Sequence, residues 1–476
     1  MVIEGDPPSP KATERAGKTD IPGTFDAGAT LGPVNETNMT RIWNKPRIAE
    51  QGSLRGRHKQ TSFDYAQGKN TPLKRKVFVG LSGGVDSSVA AYLSQKQGYD
   101  VTGVFIRSFN VDGCAERDVE DARRAAAHLG IPFYVFDFEK EYKKEVVEYM
   151  VNGYRNGLTP NPDVMCNKEI KFGLFLDKAL EMGADYIATG HYVRFLCSPS
   201  TPAHQGVSGA TPKSYPSSQG CQTSLLQARD LNKDQSYFLW TLTQEQLKHC
   251  LFPIGDYVKP EVREIARKAG LPTAEKKDSQ GICFLGEVAL DEFLKDYIKP
   301  KKGPVVDTKG RKIGEHEGIF FYTIGQRHGL GLGGGEPYYI SDKILETNTL
   351  VVAQGSDNPA LFKKEIEIAD VHFINPNNPL EATSNISAKA KTWASPRRQP
   401  EQGYWISPNK LRVMARVRYR QPLIPATLIE EGNGKYKLVF KRPVKFVAPG
   451  QSAVFYEAGF LAGLRGRRML GGGIIV

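Results

Sequence analysis

VFVGLSGGVDSS, residues 77–88, decides the fold. Val77–Leu81 is an apolar run that reads as a buried strand, and from Ser88 to Gln95 the pattern turns helical. Between them the pair Gly83-Gly84 lets the backbone turn tightly and bring its N–H groups close to an anion. The helix N-terminus behind the turn adds partial positive charge, so Gly80, Leu81, Ser82, Gly83, Gly84, Val85, Asp86 and Ser87 together read as a phosphate-binding loop. Ser82 and Ser87 supply hydroxyl donors. Asp86 would repel a phosphate unless a cation lies between them, and Mg²⁺ is the expected cation, with no dedicated protein cage. The loop lacks the G-K-[ST] of a Walker site. An ordinary Ser/Gly turn would give the same spacing without a ligand; the position between strand and helix favours the anion.

Outward from this loop the order is regular. VTGVFI (101–106), FYVFDF (133–138) and YIATG (186–190) read as strands, with helical spacing at 117–129, 141–156 and 168–182. The alternation predicts an α/β fold, a doubly wound parallel sheet with ligands at the carboxyl ends of its strands. Residues 195–224, rich in Ser, Pro, Gly, Thr and Gln, read as a flexible insertion, and 225–294 as largely helical. Beyond Pro300 short, glycine-punctuated strands take over, and the last hundred residues suit a small β-barrel with a tight turn at Gly432-Asn433-Gly434. The expected division is a disordered or targeting extension (1–75), a catalytic domain (76–290), a small central β-rich domain (291–360) and a C-terminal barrel (361–476).

The 476 residues carry a formal charge of +12, and Leu380 to Val476 alone holds 17 Lys/Arg against 5 Asp/Glu. A basic excess confined to the C-terminal fifth fits a nucleic-acid backbone or a solvated basic face equally well. No apolar run approaches the roughly 18–20 residues that span a bilayer, which argues against a membrane partner. Six scattered cysteines, with no C-x-x-C, exclude a zinc module and a secreted disulfide framework. After Met39 the extension turns basic (Arg41, Lys45, Arg47, Arg55, Arg57, Lys59), like a mitochondrial transit segment or simply a basic tail.

Two cysteines have suggestive neighbours. TPNPDVMCNKEIKF, Thr159–Phe172, delivers Asp163 and Cys166 just ahead of a helix, with the helix dipole and Lys168 favouring a thiolate. Asp163 could act as a general acid or base. KKDSQGICFLG, 276–286, places Cys283 in a flexible segment near Lys276 and Lys277, with Gly281 and Gly286 as possible hinges. Each cysteine taken alone is more often structural than catalytic.

S-G-G-x-D-S after a first strand resembles the PP-loop ATP pyrophosphatases. The ordered runs GLSGGVDSS, NPDVMCNKEIKF, ATGHYVR, NKDQSYFLW, DSQGICF, TIGQRHGLG, RVRYRQ and PGQSAVFY resemble the tRNA-specific 2-thiouridylases over about residues 76–476, omitting 195–224 and an interrupted stretch near 457–470. The resemblance implies that Gly80–Ser87, Ile106 and Gly190 hold ATP. It implies that Asn161, Pro162 and Asp163 meet the target base, and that His191, Lys233, Asp234, Gln235, Arg418, Tyr419 and Gln451 contact tRNA. Cys283 would carry sulfur as a persulfide received from a donor protein, and Cys166 would help release it, leaving a Cys166–Cys283 disulfide that a reductant must open. The compartment it suggests is the mitochondrion, or the cytoplasm for a bacterial chain.

Three rivals stand beside this reading. An amidating PP-loop synthetase would need neither both cysteines nor a basic barrel. A non-catalytic RNA-binding protein would not need the intact loop. A thiolase using an iron–sulfur cluster would add a third ligand to Cys166 and Cys283.

Overall fold

The computed structural model describes residues 74–109, 111, 113, 115–199, 221–278, 284–285, 288–333, 335–375, 405–407, 409–459 and 466–476. The expected extension over 1–75 lies, save for its last two residues, outside that set, as do Cys283 and both candidate hinges, Gly281 and Gly286.

The first domain is the parallel sheet that the loop predicts. β1 (Lys76–Gly80), β2 (Asp100–Arg107), β3 (Phe133–Asp137), β4 (Tyr186–Ala188) and β7 (Cys250–Leu251) lie in the order β3-β2-β1-β4-β7. All four pairings are parallel. The strand order reverses direction between β1 and β4, so the crevice for a ligand opens at the carboxyl ends of those two strands. Helix α1 (Val85–Lys96) starts from that crevice and buries Val85, Val89, Ala90 and Ala91 against the sheet. Helix α2 (Ala115–Leu129) covers the same core with Ala122 and Ala126.

The sequence misjudges the stretch after β4. Val193–Pro199 (β5) and Cys221–Gln227 (β6) form an antiparallel hairpin, so the ends of the supposed insertion are strands, and residues 200–220 lie outside the described set. Composition alone does not show this, because the Ser, Pro and Gly between the two strands dominate the window. The region beyond β6 also holds less helix than its periodicity suggests; its long helix is Lys259–Lys268 (α3).

β8 (Gly303–Asp307), β9 (Lys312–His316), β10 (Tyr338–Ile344) and β11 (Thr349–Gln354) make a central sheet ordered β10-β11-β8-β9. The last sheet is built from β12 (Phe362–Phe373), β13 (Trp405–Ser407), β14 (Lys410–Arg416), β15 (Ile424–Gly432), β16 (Lys435–Lys445), β17 (Ser452–Glu457) and β18 (Met469–Ile475). Its order is β13-β14-β15-β16-β12-β18-β17, and a β14–β17 pairing closes six of its strands into a barrel. Closure leaves no open edge among those six strands. The turn at 432–434 is as the glycines require: all three residues have positive φ, 89°, 52° and 73°.

One buried ion pair fastens barrel to sheet. Asp234, 1% exposed, accepts Arg416 Nη2 at 2.8 Å, and the same nitrogen donates to the Tyr456 hydroxyl at 2.6 Å. Ala228 N and Ser236 N both donate to Asp234 Oδ1, at 3.1 and 3.2 Å. Nearby, the Tyr237 hydroxyl donates to Ser452 O at 2.9 Å and Trp240 Nε1 to Ser452 Oγ at 3.1 Å. Removing one partner strands a buried charge, which typically costs about 3–5 kcal/mol. Asp234→Leu should therefore lower the thermal unfolding midpoint sharply, and Asp234→Leu with Arg416→Met should recover most of the loss; a double variant no better than the single one would refute the pairing.

Candidate active site

The phosphate loop is preorganised by its own hydroxyls. Ser82 N donates to Ser87 Oγ at 3.1 Å, Ser87 Oγ to Gly84 O at 3.1 Å, and Ser88 Oγ to Gly84 O at 2.9 Å. Gly83 has φ 73°, and a Cβ there would collide with the Asp118 carbonyl of α2. Across the crevice Gly190 follows β4, and a Cβ on it would lie 2.7 Å from Ser87 N. The loops after β1 and β4 thus touch backbone to backbone, which only glycine permits. Ile106, near the end of β2, flanks the same edge in register with Phe136. The cradle of backbone amides, hydroxyls and a helix N-terminus suits a nucleotide phosphate chain.

Asp86 is already paired within the chain. Its carboxylate accepts the Tyr192 hydroxyl at 2.8 Å and Lys259 Nζ at 2.8 and 2.9 Å. Lys259 also reaches Asp278 at 2.8 Å, and Asp278 takes Lys233 at 2.7 Å and Arg263 at 2.8 Å. Burial would raise the Asp278 carboxyl, but hydrogen bonds from Lys233 and Lys259 and their charges bring it down to about 2. Sequence reasoning missed Lys259, Tyr192, Arg263 and Asp278. Tyr192 and Asp278 sit inside runs singled out for other residues, whereas Lys259 and Arg263 lie on a helix that carries no motif.

The thiol-bearing turn lies beside this crevice. Asn161 caps the helical stretch 162–181, its Oδ1 accepting Val164 N at 3.3 Å, and Pro162 takes the first helical position. Cys166 is 4% exposed and opens a π-helical segment, Cys166–Leu174. Burial raises the Asp163 carboxyl above its usual value, against the pull of the Lys171 charge. Burial and the same Lys171 charge hold His191 well below the ordinary imidazole value, so it is neutral at pH 7. The His191 ring lies 5.8 Å from that of Phe172, and its Nδ1 is 2.8 Å from Thr189 Oγ1. His191 therefore joins the β4 loop to the Cys166 helix.

Several residues expected to touch tRNA are occupied within the chain. Asp234 departs furthest from that expectation: its carboxylate is sealed against Arg416 and unavailable to RNA. Gln235 accepts Tyr192 N at 3.0 Å, and Lys233 is committed to Asp278. Gln451 Nε2 donates to Thr159 O at 2.8 Å and Pro160 O at 3.2 Å, so the barrel splints the thiol turn. Arg418 donates to Ile324 O, and Tyr419 packs 4.6 Å from Phe238. The lysines expected to tune the thiols are also engaged elsewhere. Lys168 pairs with Glu169 at 3.1 Å, and Lys276 pairs with Asp118 and Asp121 at 2.7 and 2.6 Å. Among the described residues no group of three His, Cys, Asp or Glu side chains could hold a metal ion.

Three family models match in series: a tRNA methyl transferase HUP domain over 75–287, a tRNA methyl transferase PRC-barrel domain over 291–354, and an aminomethyltransferase beta-barrel domain over 364–475. Full-length relatives narrow this. The tRNA-specific 2-thiouridylase MnmA 1 of Geobacillus kaustophilus is 44% identical over 392 residues, 81% of this chain and 93% of the relative. The chain belongs to the tRNA-specific 2-thiouridylase family. The MnmA enzymes of Idiomarina loihiensis and Enterococcus faecalis are each 42% identical over 84% of this chain, covering 96% and 95% of their own lengths. Against this family the touching loops after β1 and β4 are the feature most exposed to test. Gly190→Ala should cut binding of an ATP analogue by about a hundredfold or more while leaving the circular-dichroism spectrum unchanged, since the intruding methyl meets backbone rather than a movable side chain; near-normal affinity by calorimetry would contradict the geometry.

Proposed function

We propose that this chain is an ATP-dependent tRNA-uridine 2-sulfurtransferase that exchanges the C2 oxygen of a wobble uridine for sulfur. The observation that carries it is the joint held by His191: the phosphate cradle of the first sheet and the Cys166–Asp163 turn are built against one another. The family supplies the substrate class, as its named members are tRNA-specific 2-thiouridylases.

The chemistry follows from leaving groups. A uracil oxygen departs poorly, so it first attacks the α-phosphate of ATP and expels diphosphate. Mg²⁺ accompanies the nucleotide's phosphates. The outer sulfur of a Cys283 persulfide, loaded by a donor protein, then bonds to C2, and AMP leaves with the oxygen. The Cys166 thiolate attacks the inner sulfur of Cys283; the S–S electron pair passes to the thiolated base and a Cys166–Cys283 disulfide forms. An external dithiol reductant restores both thiols. Asp163, whose carboxyl burial raises above its usual value, is suited to handle the uridine N3 proton. Gln451 and Asp234 serve this reaction by positioning the barrel against the thiol turn. The exposed Lys and Arg of the barrel supply the salt-sensitive backbone contacts to RNA.

Thiolation of an unmodified tRNA with ATP, Mg²⁺ and a sulfur donor tests the reading. Nucleoside mass spectrometry should show 2-thiouridine with the wild type and none with Cys166→Ser or Cys283→Ser, while ATP is still cleaved to AMP. Thiolation surviving Cys166→Ser would exclude the two-thiol route, and product that depends on an iron-bound sulfide would revive the cluster-based rival.

The basic run from Arg41 to Lys59 supports delivery to mitochondria, whereas the relatives named above are bacterial and fit a cytoplasmic enzyme. Residues 1–75 fused to a fluorescent protein should direct it to mitochondria in a eukaryotic cell; a diffuse signal would return the assignment to the cytoplasm.

A further inference from the structure

Where the sequence calls for a divalent ion, the structure puts an ammonium. Both Asp86 oxygens accept Lys259 Nζ, at 2.8 and 2.9 Å, and one of them also accepts the Tyr192 hydroxyl at 2.8 Å. The Lys259 side chain is 11% exposed and is aimed from a fixed base: its backbone N donates to Asp230 Oδ2 at 3.0 Å, while Val262 and Ala266 of the same helix are buried in the core. Mg²⁺ demands a near-octahedral shell with oxygens at about 2.0–2.1 Å. To bind Asp86 it would compete with the ammonium on both oxygens and with the phenol on one, and would stand beside Lys259, Lys233 and Arg263. Asp278, a second carboxylate on Lys259, is already shared by those same three cations. The residues present do not fit a metal carried on Asp86.

We infer that Lys259 is the cation that reconciles Asp86 with the nucleotide phosphates, and that Mg²⁺ is held by phosphate oxygens without Asp86 as a ligand. This rests on the reading of loop 80–87 as the ATP site. It removes the electrostatic objection to an aspartate in the first turn of a phosphate-binding helix: the Asp86 charge is neutralised in place by Lys259. Lys259 acts through Asp86 and the loop, as a positioning residue.

Mn²⁺, a paramagnetic stand-in for Mg²⁺, separates the two arrangements by electron paramagnetic resonance on the nucleotide-free protein. The wild type should show no site tighter than about 1 mM, a weak affinity for a carboxylate already satisfied. Lys259→Met should uncover Asp86 and gain a Mn²⁺ site at least about tenfold tighter, since a bidentate charge-assisted pair has been removed. Adding Asp86→Asn should abolish that site again. Lys259→Arg, which keeps the cation, should stay silent, and thermal melts establish that each variant is folded. In EDTA, Lys259→Met should also bind an ATP analogue at least about tenfold more weakly than wild type, through loss of the preset loop. A Mn²⁺ site in the wild type that Asp86→Asn removes, or no gained site in Lys259→Met, overturns the proposal. A wild type that binds no ATP analogue at all refutes the nucleotide reading of the loop, and with it the phosphate half of this inference; the Mn²⁺ results, obtained without nucleotide, tell the two failures apart.

Discussion

The whole assembly depends on a carboxylate that water cannot reach. Asp234 lies on the connection between β6 and β7 of the first domain, and its partner Arg416 ends a strand of the barrel. A buried ion pair contributes little net stability against an apolar replacement, but it tolerates only one geometry. Its lone pairs are also spent on Ala228 N, Ser236 N and Gln227 Nε2, so a shifted barrel would strand several polar groups at once. That intolerance fixes where Pro449–Gln451 falls, and those residues in turn hold the turn bearing Asp163 and Cys166. Specificity of docking, more than strength, is what the pair provides.

The active-site region follows the same economy. Three loops meet there, after β1, after β4 and at 159–166, and each is fixed by a different device. Serine hydroxyls close the first, a glycine without a Cβ lets the second approach, and side chains from a distant sheet brace the third. Burial then tunes what they carry. His191 is kept neutral and Asp163 is pushed toward its protonated form by the same desolvation, while Lys171 acts on both. Two groups of opposite charge type are thus drawn toward neutrality.

How far the sequence could be read depends on the range of the interaction concerned. The strand–turn–helix at 76–96 and the glycine turn at 432–434 are local, fixed by residues a few positions apart, and both stand in the structure as read. Gly190 was legible because a motif carried it. The tie from Lys259 to Asp86 spans 173 positions and that from Gln451 to Thr159 spans 292, so no window of sequence contains them. The family resemblance gives Lys233, Asp234 and Gln235 as RNA contacts, and no window of sequence around them shows the partners they hold within the chain. The hairpin Val193–Pro199 with Cys221–Gln227 was missed for another cause: the Ser-, Pro- and Gly-rich residues between its strands dominate the window, and only pairing across them marks the two ends as strand.

The barrel's last strand, Met469–Ile475, sits closer to the chemistry than its place in the chain suggests. Gly450 N donates to Ile475 O at 2.8 Å and Ile475 N to Gln451 O at 2.8 Å, directly behind the glutamine that braces the thiol turn. Gly472 lies flat against the Trp240 ring, where a Cβ would come within 2.7 Å. A frameshift that rewrites only these few codons would therefore behave as an active-site lesion.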